Sequence, residues 1–246
     1  MKIRNLEINK GRPAVCVPVT DRTAEDIVSH VSEITEQTDI IEWRIDYYDD
    51  VDRSAMILPE IREAAGDTPL LVTLRTEQEG GEFRGNSSGY TDILNRCAAD
   101  GNADLIDVEY RAVPDIARLL DFFHEKNVRS VVSHHDFHET PDEKEMYAML
   151  EAMADTGADI VKLAVMPQTV HDVLALLSVT YRFHALHPKT PVVTMSMGRL
   201  GVVSRIAGGT FGSCITFGAD RVASAPGQLE YLELKQILRI LDEAGK

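Results

Sequence analysis

Eight short apolar runs begin near residues 14, 40, 69, 103, 128, 159, 191 and 213, and almost every pair is separated by a helix-like stretch. This alternation constrains the fold severely. Strands joined through helices cross over to run parallel, and eight such units predict a (β/α)8 TIM barrel. Residues 2–9 alternate enough for a short extra N-terminal strand or hairpin, ahead of a turn at Lys10-Gly11-Arg12-Pro13. No self-similarity at a fixed period points to a solenoid. At 246 residues and 44% hydrophobic, the chain is long enough for a large core, and residues 1–246 are expected to form one catalytic barrel domain.

Helix signals fall between the runs. Thr23 with Asp26 predicts a helix start, Gly66 ends a helix over about 52–65, and residues 88–100 form another. Pro114, Pro141 and Pro167 are expected to open the next three. The glycine-rich stretch from Gly198 to Arg205 is predicted as a loop leading through Gly208-Gly209, and Leu229–Leu241 as the closing helix.

Side chains alternate along a strand, so each run sorts its residues into two faces. Ile160, Lys162 and Ala164 share one, and bulky Val161, Leu163 and Val165 share the other, which suits a helix layer. Lys162 therefore points to the interior. By the same count Ser133 and His135 face one way and His134 the other. Glu42, Arg44 and Asp46 share a face, as do Thr73 and Arg75, and as do Asp107 and Glu109. Charges on a strand buried on both sides are costly unless they pair or line a site. In such barrels the site lies at the C-terminal strand ends, where Glu42, Arg44, Arg75, His135 and Lys162 converge with Arg205, Ser224 and Gln228 from the loops.

Composition narrows the partners. The 40 acids and 25 bases give a net charge of −15, which opposes binding to nucleic acid or anionic membranes. No apolar run approaches the roughly 18 residues of a membrane span, and the first residues carry no signal core. Cys16, Cys97 and Cys214 make neither a zinc knuckle nor a redox pair, so a reducing cytoplasm is the expected compartment.

An inward lysine loses solvation when charged, and a pKa drop of about three units makes a substantial fraction of such amines nucleophilic at pH 7. A neutral amine condenses with a ketone, and the protonated imine acidifies the adjacent C–H for a nearby imidazole. Lys162 and His135 suit those roles. The plainer readings are an ion pair between Lys162 and Glu42, Asp107 or Glu109, and a hydrogen-bonded core role for His135. A metal on His134, His135, Asp136 and His138 is disfavoured, because neighbouring strand residues point apart. The turn at Gly208–Gly212 fits simple loop geometry better than a phosphate site.

Taken in order, Glu42-Trp43-Arg44-Ile45-Asp46, Leu74-Arg75-Thr76 with Glu79-Gly80-Gly81, Ser133-His134-His135-Asp136-Phe137, Val161-Lys162, Met195-Ser196-Met197-Gly198 with Ser204-Arg205, and Ser224-Ala225-Pro226-Gly227-Gln228 resemble the type I 3-dehydroquinate dehydratases. The likeness runs from the first barrel strand to the last helix. It implies dehydration of 3-dehydroquinate to 3-dehydroshikimate in the shikimate route, with no metal and no diffusible cofactor. It also implies Lys162 as the Schiff-base amine, His135 as general acid and base, and Glu79 as the carboxylate beside that histidine. Arg205, with Ser224 and Gln228, would receive the substrate carboxylate, while Glu42, Arg44 and Arg75 would hold the ring hydroxyls. A homodimer is expected by the same likeness. Where some relatives carry serine at the end of the first strand this chain has Pro18, which removes one hydroxyl contact.

Two rival readings fit the same residues. A class I aldolase would share Lys162 but want a phosphate site after strands seven and eight, and a non-catalytic sensor of hydroxy-acids would need the arginines without a facing lysine and imidazole.

Overall fold

The computed structural model describes residues 1–8 and 11–244. Residue 9 of the expected first strand and Lys10 of the turn after it lie outside the described residues. A short antiparallel hairpin, β1 (Lys2–Ile3) and β2 (Leu6–Glu7), precedes the barrel strands β3 (Ala14–Val19), β4 (Ile40–Arg44), β5 (Leu70–Thr73), β6 (Leu105–Glu109), β7 (Arg129–Asp136), β8 (Ile160–Val165), β9 (Val192–Ser196) and β10 (Ile215–Phe217). The eight-stranded sheet is parallel in the order β10-β3-β4-β5-β6-β7-β8-β9. A bridge between Val192 and Ser213, with the Cys214 amide donating to the Val192 carbonyl at 2.9 Å, brings its two edges together as a nearly closed TIM barrel.

The α-helices among the described residues are α1 (Ala24–Ile34), α2 (Ser54–Ala65), α3 (Ser87–Asp100), α4 (Ile116–Glu125), α5 (Glu143–Asp155), α6 (Val170–Leu186), α7 (Gly198–Ala207) and α8 (Tyr231–Ala244). Outward strand residues such as Val17, Trp43, Val72, Val108, Val161 and Leu163 are fully buried against this helix layer. Each such side chain contributes about 1.5–3 kcal/mol on burial. Inward residues at the N-terminal strand ends, among them Ala14, Ile40, Leu105, Val131 and Ile160, pack with Ile3 and Ile8 of the hairpin segment. The hairpin thus plugs the bottom of the barrel, held by an ion pair of 2.6 Å from Arg4 to Asp104, just ahead of β6. The apolar bottom leaves the polar inward residues to the top.

Three helix starts differ from the expectation at proline. They lie two or three residues later, at Ile116, Glu143 and Val170, because Asp115, Asp142 and Thr169 accept bonds from first-turn amides and fix the N-termini. Thr23 caps α1 through the Asp26 amide as predicted, and Gly66, at φ +52°, ends α2. A larger correction concerns Gly198–Arg205, which is not a loop but most of α7. Its glycines mislead a reading based on propensity. A Cβ on Gly201 would stand 2.2 Å from the Ser196 carbonyl oxygen, so that glycine serves close packing of helix on strand. The Gly208–Phe211 turn follows α7 and meets Pro13 and Ser213 at the barrel bottom, far from the polar strand ends.

Candidate active site

Alternation carries the polar residues of β4 to β8 inward, and parallel register sets them in tiers. Ser133 pairs with Lys162 across β7 and β8, and Glu109 with Ser133 across β6 and β7. Lys162 is buried, with Nζ 3.5 Å from Asp107 Oδ2 and 4.0 Å from Glu42 Oε1, and it lies 4.3 Å from the centre of the Phe217 ring. The ion pair weighed against a chemical role is therefore present, and it compensates the amine's charge inside the barrel. Thr73 donates to Glu42 at 2.9 Å and holds that carboxylate in place.

Arg75 ties the carboxylates together. It donates to Asp107 at 2.7 Å, to Glu109 at 3.0 Å and to Ser133 at 3.0 Å. Burial works to raise Asp107, yet the charges of Arg75 and Lys162 prevail and hold it below the usual carboxylate range. Burial of Glu109 wins instead, and its carboxyl is raised. Arg44 turns to a different partner, forming a two-point pair with Asp46 at 2.8 and 2.7 Å. Asp46 in turn accepts from the Arg75 and Glu82 amides, fixing the segment after β5.

That segment carries Glu79 back over the barrel mouth. A Cβ on Gly81 would lie 2.2 Å from the Arg75 carbonyl oxygen, so glycine permits the fold-back. Glu79 Oε2 accepts from the His135 amide at 3.0 Å and from His135 Nδ1 at 2.9 Å, while Oε1 accepts from His134 Nδ1 at 2.7 Å. Burial opposes the charge on Glu79, but the bonds from both histidines and the nearby Arg75 outweigh it and keep the carboxyl well below its ordinary range. An ionised carboxylate can only accept, so His135 Nδ1 carries the hydrogen. Burial, aided by the Arg75 charge, lowers His135 to about 3 against the opposing pull of Glu79. The ring is neutral at pH 7, with Nε2 free to take a proton.

Arg205 is almost wholly buried on α7, at 1% exposure. The sequence places it in a loop, whereas it lies in a helix that turns it inward. Its Nη2 donates to the Pro226 carbonyl at 3.1 Å, Nη1 meets Met195 Sδ at 3.6 Å, and Nε has no partner among the described residues. Burial alone lowers it to about 10. It remains a cation at pH 7 and, among the described residues, has no carboxylate against it, which suits an incoming anion. Ser224 and Gln228 bond one another, the Ser224 amide to Gln228 Oε1 at 2.8 Å and Gln228 Nε2 to Ser224 Oγ at 3.1 Å. Their segment docks on α7 through a 3.0 Å bond from the Gly198 amide to the Pro226 carbonyl.

One inner cavity joins Glu42, Arg44, Arg75, Glu79, His135 and Lys162 with Met195, Met197, Phe217, Ser224 and Gln228. It is narrow, about 40 Å³, since Phe137 and the 224–228 segment close over it. A roomier cavity of about 480 Å³ lies beyond Glu79, His135 and Phe137, which form a wall common to both. Among the described residues no group of three or more His, Cys, Asp or Glu side chains could hold a metal ion. Pro18 stands opposite Glu42 in register and offers no side-chain hydroxyl there.

Alternation set Asp107 and Glu109 inward and offered Lys162 as their partner; Lys162 does meet Asp107, but the closer partner of both carboxylates is Arg75. His134 is a residue whose contact the sequence did not foresee. Counted onto the opposite strand face from His135, it nevertheless reaches the same carboxylate, because Glu79 comes from a loop that crosses the end of β7. Phe217 and Ser133 also went unassigned, though both lie on inward strand faces.

Fold and site together define a (β/α)8-barrel enzyme with an amine and an imidazole buried at its C-terminal mouth. A family model described as type I 3-dehydroquinase matches residues 15–244. The 3-dehydroquinate dehydratase of Clostridium kluyveri is 41% identical over 247 residues, covering 98% of this chain and 97% of that protein. The crystal structure of the type I 3-dehydroquinate dehydratase from Clostridium difficile, with covalently modified comenic acid, superposes with a TM-score of 0.95 at 39% identity, covering 99% of this chain and 98% of that one. The enzyme from Geobacillus kaustophilus gives 0.95 at 34% identity, with coverages of 100% and 97%. The chain belongs to the type I 3-dehydroquinase family and is a hydro-lyase.

Proposed function

We propose that this enzyme dehydrates 3-dehydroquinate to 3-dehydroshikimate through an imine on Lys162, with His135 moving the protons. The Lys162 amine adds to the substrate ketone and water leaves, giving a protonated imine. His135 Nε2 then removes the acidified α-proton to form an enamine. The enamine expels the β-hydroxyl, which takes that proton from His135 and departs as water. Hydrolysis of the remaining conjugated imine releases product and restores the amine.

The observation that carries this reading is one cavity lined by both the Lys162 amine and a neutral His135 whose Nδ1–H is fixed on Glu79. Asp107 and Glu42 hold the amine in the cavity until substrate arrives. Arg205 receives the substrate carboxylate, with Ser224 and Gln228 alongside, while Glu42, Arg44 and Arg75 hold ring hydroxyls. The aldolase alternative loses support from position, since the glycine turn after α7 lies at the barrel bottom and offers no phosphate site at the mouth.

The exposed apolar row Val170, Leu174 and Tyr181 on α6, beside Leu200 and Val203 on α7, is the face we assign to a homodimer. The three free, buried cysteines suit a reducing cytoplasm.

Borohydride in the presence of 3-dehydroquinate tests the central step. Product formation together with a reduced adduct on the Lys162 peptide is expected. Turnover with no adduct would remove the covalent step.

A further inference from the structure

His134 has no part in the proton transfers just described, yet it is 5% exposed and spends its Nδ1 on the carboxylate that orients His135. The two imidazoles grip the two oxygens of Glu79, at 2.7 Å and 2.9 Å. The other contacts on that carboxylate come from the His135 amide at 3.0 Å and, more loosely, from Arg75 Nη1 at 3.6 Å. Glu79 sits on a short turn ending at Gly80, φ +82°, so its own backbone constrains the carboxyl little. A carboxylate gripped at one oxygen can rotate about its terminal bond, whereas one gripped at both cannot.

We propose that His134 is a positioning residue for the dehydration, fixing Glu79 Oε1 so that Oε2 holds the His135 ring with Nε2 aimed into the inner cavity. The inference rests on the acid–base reading of His135. His134 itself lines the outer cavity and not the inner one, so it acts through Glu79 and does not touch substrate. Burial explains why the contact matters. Without the His134 donor, Glu79 Oε1 is left desolvated beside a wall of side chains and is drawn to whatever donor the outer cavity admits, carrying Oε2 away from His135.

The test compares wild type, His134→Asn, His134→Leu and His135→Ala, each checked for folding by thermal unfolding, with kcat and KM measured for 3-dehydroquinate. The asparagine amide can place an N–H near the site of Nδ1, and the leucine cannot. His134→Leu is expected to lose about ten- to a hundredfold in kcat with KM within about twofold, and His134→Asn to recover most of it. Leucine and asparagine variants both matching wild type would overturn the proposal. So would equal losses in the two, since that pattern marks a packing role and not a donated bond. Full activity in His135→Ala would instead refute the acid–base reading itself, whatever the His134 variants show.

Discussion

Lys162 Nζ stands 3.5 Å from Asp107 Oδ2 in the barrel interior. The same contact that makes a buried lysine tolerable also keeps its amine at the height of the cavity where His135 waits. Replacing Lys162 with alanine is expected to abolish turnover and the borohydride adduct together. It also leaves Asp107 with Arg75 and Ser133 as partners, so the fold should persist, and intact-mass and circular-dichroism measurements on one sample check both points.

Arg205 predicts a split in kinetic constants. If this buried guanidinium, with no carboxylate partner among the described residues, receives the substrate anion as proposed, Arg205→Met should raise KM by about ten- to a hundredfold while the imine still forms. Initial-rate kinetics decide it, and an unchanged KM would contradict the role.

His135 gives a pH prediction. Its conjugate acid dissociates at about 3 in the free enzyme, so protonation removes the base only in strong acid. From about pH 5 to 7 the profile of kcat/KM should show no acid-side inflection from this residue. An inflection near 6.5 that vanished in His135→Ala would show that the ring is more easily protonated than its burial and Arg75 imply.

Closure by the 224–228 segment is testable at Gly227. Its φ is +79°, and a Cβ there would stand 2.4 Å from the Gly198 carbonyl oxygen. Gly227→Ala should undock the segment, raising KM and speeding tryptic cleavage at Arg221 relative to wild type.

Asp39 makes the stability prediction. It accepts from Arg12 at 2.8 Å, from the Val15 amide at 2.8 Å and from Lys235 at 3.0 Å, linking β3 to α8. Burial works to raise its carboxyl, but these partners outweigh it and the net shift is downward. A depressed carboxylate contributes stability above its unfolded pKa of about 3.9, lost as pH falls through the folded value. Asp39→Asn should therefore cost about 1–3 kcal/mol in urea unfolding at pH 7, with a smaller difference below about pH 4.

The sequence by itself determined the barrel and the direction of most site residues. Both follow from local rules: the recurrence of strand and helix lengths, and a side-chain period of two that turned Glu42, Arg75, Asp107, His135 and Lys162 inward. Glu79, in a loop without a period, was reachable only through resemblance. Tertiary structure decided the pairings. Arg75 chose Asp107 and Glu109 because register set those strands side by side, and Arg205 became a buried cation because Gly201 let α7 pack directly on β9. His134 joined Glu79 because a loop crossed the end of β7, where the two-face count along the strand no longer governs what a side chain can reach.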